Sequence, residues 1–193
     1  MFNKLYAILA CLTISCTSLD ASELPLNRLT LPEGYQIEVF ADDLPNARQL
    51  ARSDSGVIFV STRSKGKVYA LVPKENAKGY EKLTILSGLN EPHGLVYHQG
   101  DLYVAEVKRI TQYSDVDKHL NSMPEPVVLN DTLPDKTWHG YRVLKLGPDG
   151  QLYVSIGMPC NTCFYRDTQP LYGTIATLTL DGKNLKPYAI GIR

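Results

Sequence analysis

The sequence predicts an all-β fold, a β-propeller of which about three four-stranded blades are present. Three observations predict it. A short phrase recurs: Gly56-Val-Ile-Phe-Val-Ser61 returns as Gly100-Asp-Leu-Tyr-Val-Ala105 and as Gly150-Gln-Leu-Tyr-Val-Ser155. The copies lie 44 and 50 residues apart, the period of a radial repeat in which each unit is one blade. Each copy is a Gly turn followed by alternating β-branched and aromatic residues, which is strand chemistry. No convincing amphipathic helix competes; residues 115–123 are the best candidate and a weak one.

The elements follow in order. Leu31-Pro-Glu-Gly-Tyr35 reads as a turn, and Tyr35, Ile37 and Val39 alternating with Gln36 and Glu38 read as a strand running to Phe40. After the first copy, Gly66-Lys-Val-Tyr-Ala-Leu-Val72 is a further strand, and Thr84-Ile-Leu86 a short apolar run before the next blade. Arg109-Ile-Thr-Gln-Tyr113 follows the second copy. Pro124, Pro126 and Pro134 mark a long connection around residues 114–138. Gly173 to Leu180 follows the third copy and ends in Asp181-Gly182, a strong hairpin signal between alternating runs. The chain stops at Arg193, where a fourth blade would begin. Propellers close on themselves to remove open sheet edges, so the expectation is a fragment of a longer propeller, with closure by assembly as the alternative.

Twenty basic and twenty acidic side chains balance among the 193 residues. No basic stripe stands out, so the electrostatic footprint of a nucleic-acid binder is absent. Residues 1–21 differ from the rest. Lys4 precedes a mostly apolar stretch from Leu5 to Cys16, too short to span a bilayer, and a cut after Ala21 gives the layout of a secretory signal. The expected organisation is a signal peptide over 1–21 and a partial propeller over 22–193, in the periplasm or secreted. Lipid anchoring at Cys16 or Cys11 is the alternative, as is a buried N-terminal strand.

The residues at the start of each blade carry the candidate chemistry. Arg48-Gln49, His93, His139 and Arg193 stand at blade-equivalent positions, spaced so that they converge on one mouth of a central channel. Such a ring describes a cationic, hydrogen-bonding pocket whose imidazoles can move protons near neutral pH. The plainer reading of His93-Gly94 and His139-Gly140 is a turn residue bonded to backbone. His98 and His119 lack the register and read as surface residues. Trp138 is either a stacking wall or core.

The segment from Trp138-His-Gly-Tyr-Arg142 through Gly147-Pro-Asp-Gly150 to Ile156-Gly-Met-Pro-Cys160-Asn-Thr-Cys163 resembles the glucose/sorbosone dehydrogenases, in particular their L-sorbosone dehydrogenase-like branch. Leu31-Pro-Glu-Gly-Tyr35, Gly88-Leu-Asn-Glu-Pro-His-Gly-Leu95, the Gly173 to Gly182 run and Gly191-Ile-Arg193 extend the likeness over nearly the whole mature chain. The resemblance implies a six-bladed propeller, of which this chain holds about the first half. It implies pyrroloquinoline quinone (PQQ), often with Ca²⁺, as the means of oxidising sugars or sugar aldehydes outside the cytoplasm. By the same resemblance His139 is the catalytic base, and Arg193, His93 and Arg142 belong to cofactor binding. The electron acceptor stays open. Met158 stands where the glucose-oxidising branch has an Asp that orients the His, and His139-Gly-Tyr-Arg142 is one residue tighter than in that branch. The chain also ends before the cofactor ligands of the later blades.

Cys160 and Cys163 are expected to form a local disulfide that pins a loop at the channel mouth, with a redox-active pair or free thiols as alternatives. Phe164 after the second Cys excludes haem attachment, and a zinc site would need two more ligands. Two rival functions stay on the page. One is a Ca²⁺-dependent lactonase-like propeller, with Glu91 and Asn90 the nearest acidic and amide groups. The other is a non-catalytic propeller that binds a protein or glycan.

Overall fold

A computed structural model describes residues 24–75, 79–165 and 167–192; the expected signal segment and Arg193 lie outside them. Two compact units are present, Met1–Val39 and Phe40–Arg193. In the first, a 3-10 turn spans Leu26–Arg28, and Tyr35 N–H closes a turn on the Pro32 carbonyl.

The second unit carries three four-stranded antiparallel sheets, as the repeats predict. Blade 1 is β1 (Ala47–Arg52), β2 (Ile58–Thr62), β3 (Lys67–Pro73) and β4 (Tyr80–Leu86), paired in that order. Blade 2 is β5 (Gly94–His98), β6 (Asp101–Ala105), β7 (Ile110–Tyr113) and β8 (Val127–Asn130). Blade 3 is β9 (Leu144–Leu146), β10 (Leu152–Ile156), β11 (Thr174–Leu178) and β12 (Lys186–Ile190). The recurring phrase is the second strand of each blade. The first strands β1, β5 and β9 lie side by side, which is the arrangement of innermost strands about an axis.

Two expected elements differ. Residues 35–40 form no strand; Tyr35, Ile37, Val39 and Phe40 are exposed. Alternation makes a residue run compatible with a sheet, but a strand also needs a partner edge to take its backbone hydrogen bonds. The connection over 114–138, in turn, contains β8, the outer strand of blade 2. Its Val127-Val128-Leu129 run is short and follows Pro124 and Pro126, as suits an edge strand. The weak helix candidate is a 3-10 turn at Val116–Lys118.

Packing between blades explains why the phrase is so apolar. In β6, Leu102 and Val104 face blade 1 and join Phe59, Val68 and Ala70. Tyr103 and Ala105 face blade 3 and join Leu144, Leu152 and Val154. A strand covered on both faces reads as a continuous apolar run. In β10 only Leu152, Val154 and Ile156 are buried, and Tyr153 packs edge-on against exposed Tyr188. Full burial of each such aliphatic side chain contributes about 1.5–3 kcal/mol.

At the axis the strands approach closely. A Cβ on Gly94 would meet the Arg142 carbonyl oxygen at 2.3 Å and Leu144 Cβ at 2.6 Å, so only glycine lets β5 sit against β9. Gln49 fastens the same place. Its amide nitrogen donates to the carbonyls of Leu95 and Leu144, both at 2.7 Å, tying all three inner strands. The serines that end two of the repeats share one task. Ser61 Oγ accepts from Gln49 N–H and donates to the His93 carbonyl, while Ser155 Oγ accepts from Val143 N–H. Ala105 replaces that hydroxyl in blade 2, where His93 N–H bonds the Ala105 carbonyl directly.

Candidate functional site

The two register-matched histidines meet at one cavity. A space of about 500 Å³ is lined by His93, His139, Tyr141, Ser155, Met158 and Thr174, among others. Its volume falls within the roughly 300–1,000 Å³ of small-molecule sites. The convergence follows from the repeat: His93 stands one residue before β5, and His139 on the turn leading to β9.

His139 is fixed by backbone. Its φ of 51° is left-handed, on a turn closed by Gly140 N–H and the Thr137 carbonyl. Its Nδ1 lies 2.8 Å from the Met158 carbonyl oxygen. A carbonyl can only accept, so Nδ1 carries the proton and the neutral ring keeps its lone pair on Nε2. Nε2 has no hydrogen-bond partner among the described residues. Gly157 is part of the mounting, because a Cβ there would meet the His139 carbonyl oxygen at 2.5 Å. Met158 thus orients the imidazole through its backbone, at the position where an Asp side chain would otherwise be expected to do so.

His93 is held differently. Its Nδ1 is buried and has no partner. Burial, and then the positive charges of Arg48 and Arg63, push its pKa below the ordinary histidine value, which favours a neutral ring. Its ring lies 5.7 Å from that of Tyr141.

The remaining expected site residues separate. Arg48 is exposed and acts on His93 through its charge without lining the cavity. Arg193 lies outside the described residues; Ile192 before it lines the cavity. Arg142 does not line it. Its side chain is 1% exposed, and its guanidinium donates to the Val107 carbonyl at 2.9 Å and the Pro134 carbonyl at 2.6 Å. Burial lowers its pKa to about 10. It pins the segment after the His139 turn to the loops of blade 2. Cys160 and Cys163 form a disulfide, closing a short loop whose Asn161 reaches the cavity.

Several residues came from structure alone. Arg63 pairs with Glu91 at 3.2 Å and lies 4.1 Å over the Tyr141 ring. Nothing local in the sequence joins positions 63, 91 and 141, although Arg63 directly follows a β2 strand that the repeat had located. Gly157 and the Met158 carbonyl were also missed, because a carbonyl has no residue signature. Glu91, the acid nearest to a lactonase-like site, is engaged by Arg63. Among the described residues no group of three or more His, Cys, Asp or Glu is placed to hold a metal ion, and no helix is long and apolar enough to cross a membrane.

The fold is similar to that of several solved structures. The PQQ-bound aldose sugar dehydrogenase of Streptomyces coelicolor is similar at a TM-score of 0.59 and 20% identity, over 76% of this chain and 48% of that one. A Trichoderma reesei carbohydrate-active enzyme of family AA12 is similar at a TM-score of 0.66 and 20% identity, over 82% and 41%. A putative oxidoreductase (glucose dehydrogenase) of Thermus thermophilus is similar at 0.60 and 19%, over 81% and 55%. The chain therefore spans about half the length of these structures. No family model matches the sequence. An uncharacterized protein of Borreliella burgdorferi is 28% identical over 109 residues, 56% of this chain and 27% of that protein.

Proposed function

We propose that this chain supplies the base-bearing half of a quinone-dependent dehydrogenase that oxidises a sugar or sugar aldehyde outside the cytoplasm. One observation carries the reading. Two histidines from successive blades line one cavity, and one has its tautomer set by a backbone carbonyl. The likeness to PQQ-binding sugar dehydrogenases supports it through fold.

His139 is the base. With Nδ1–H held on the Met158 carbonyl, Nε2 accepts the proton of a substrate hydroxyl, and the ring then carries it as imidazolium. Imidazole suits this because its ordinary pKa lies near neutral pH. PQQ, when bound, would accept the hydride from the same carbon. The residues present fit one side of such a group. The orphaned His93 Nδ1 needs a partner, and Ser155 and Asn161 line the same cavity with neutral hydrogen-bonding groups. Arg193 belongs to this proposal as a cation toward the quinone, while Arg142 serves the fold. For Ca²⁺ the described residues give no matching donor cluster, and no step is assigned to it.

The test is dye reduction by the six-bladed polypeptide that this reading requires, reconstituted with PQQ and Ca²⁺ and offered a sugar panel. Sugar-dependent reduction is expected. The absence of both PQQ binding and sugar-dependent reduction would leave only the fold likeness.

A further inference from the structure

Trp138 is 62% exposed, which removes it from the core and leaves a large, mostly open ring at the edge of the His139 turn, its centroid 5.4 Å from that of the imidazole. It lines a second hollow of about 390 Å³ together with Arg63, Thr137, His139 and Tyr141. His139 and Tyr141 belong to both hollows, so the two adjoin at the imidazole. Tyr141 borders both: the Arg63 guanidinium lies 4.1 Å over its ring and the His93 ring 5.7 Å away. Glu91 already neutralises Arg63. The hollow therefore offers an aromatic face, a hydroxyl and a charge-compensated guanidinium edge.

That chemistry matches an uncharged polyol better than an anion or an apolar ligand. The C–H face of a pyranose is apolar and weakly positive and suits the negative face of an indole ring, while its hydroxyls want donors and acceptors around the rim. A carboxylate would gain little from a guanidinium that is already paired. We propose that Trp138, with Arg63, Thr137 and Tyr141, forms a subsite for a second glycosyl unit, making the preferred ligand a disaccharide or the end of an oligosaccharide. The proposal rests on His139 marking where the reacting unit sits.

Trp138 is the sole tryptophan of the 193 residues, so tryptophan emission of this chain reports on the subsite and on the His139 ring beside it. Titration with cellobiose, maltose and glucose is expected to give a saturable emission change, with at least one disaccharide half-saturating at a concentration about ten-fold below glucose, as befits an added aromatic contact. Calorimetric titration of Trp138→Ala loses the disaccharide preference; the exposure of Trp138 means that this variant keeps the fold. Equal binding of disaccharides and glucose, or a preference unchanged in Trp138→Ala, overturns the subsite. Dye reduction without the preference overturns the subsite and leaves the dehydrogenase standing. A preference with neither PQQ binding nor dye reduction supports the subsite as a sugar-binding site and overturns the dehydrogenase.

Discussion

Blades 2 and 3 place a histidine at the same register, yet the two rings are held in opposite ways. His139 has its Nδ1 proton committed to the Met158 carbonyl and its backbone locked in a left-handed turn. His93 leaves Nδ1 buried and unpaired, with two cations bearing on it. Repetition brought both rings to one cavity; what each can do there depends on the second partner. A ring with a fixed tautomer is ready to take a proton. A desolvated neutral ring without a partner is a place for a ligand to bond.

The comparison breaks most sharply at the rings themselves. In the six-bladed polypeptide reconstituted with PQQ, as proposed, His139→Ala is expected to lower kcat by roughly 10²–10⁴-fold, while His93→Ala is expected to act mainly on PQQ affinity. Equal losses of kcat in the two variants would erase the distinction. Gly157→Ala retains both imidazoles but sets a Cβ against the His139 carbonyl oxygen, which must shift. A displacement of about 1 Å there is expected to lower kcat by up to roughly 10²-fold, with cofactor affinity little changed. Unaltered kinetics would mean that the mounting of His139 does not matter.

Arg142→Ala tests the fold beneath the comparison. It strands the carbonyls of Val107 and Pro134 and opens a void, which together outweigh the relief of removing a buried cation. A stability loss of about 2–3 kcal/mol in denaturant unfolding is expected. No loss would place the anchoring of the His139 segment elsewhere.

The smallest effect belongs to His93 and pH. Its folded pKa lies below the unfolded value of 6.5. The unfolded chain therefore binds more protons in the interval beneath 6.5, and stability contributed by the neutral ring is lost as pH falls through the folded pKa. Tm measured from pH 7 down to pH 5 should fall less steeply in His93→Gln than in the parent chain. An identical slope would show that this burial has no titration consequence.

Blade number, sheet class and the meeting of His93 with His139 were legible because they follow from period and alternation. Tyr35 to Phe40 alternates like a strand and forms none, since pattern cannot supply a partner edge. β8 was hidden by its brevity and its prolines. Arg142, a cation in a functional-looking motif, proved to be bonded to backbone carbonyls, which only tertiary contacts reveal. Met158 brings no acidic side chain to orient His139; the carbonyl of that same residue does so. Side-chain identity at Met158 gave no hint of it.

The role of His139 turns on one proton. Nitrogen-15 NMR of the His139 ring at a pH where it is neutral should show the tautomer protonated at Nδ1, with Nε2 the bare nitrogen. A ring protonated at Nε2, or one averaging between tautomers as free imidazole does, would contradict the account.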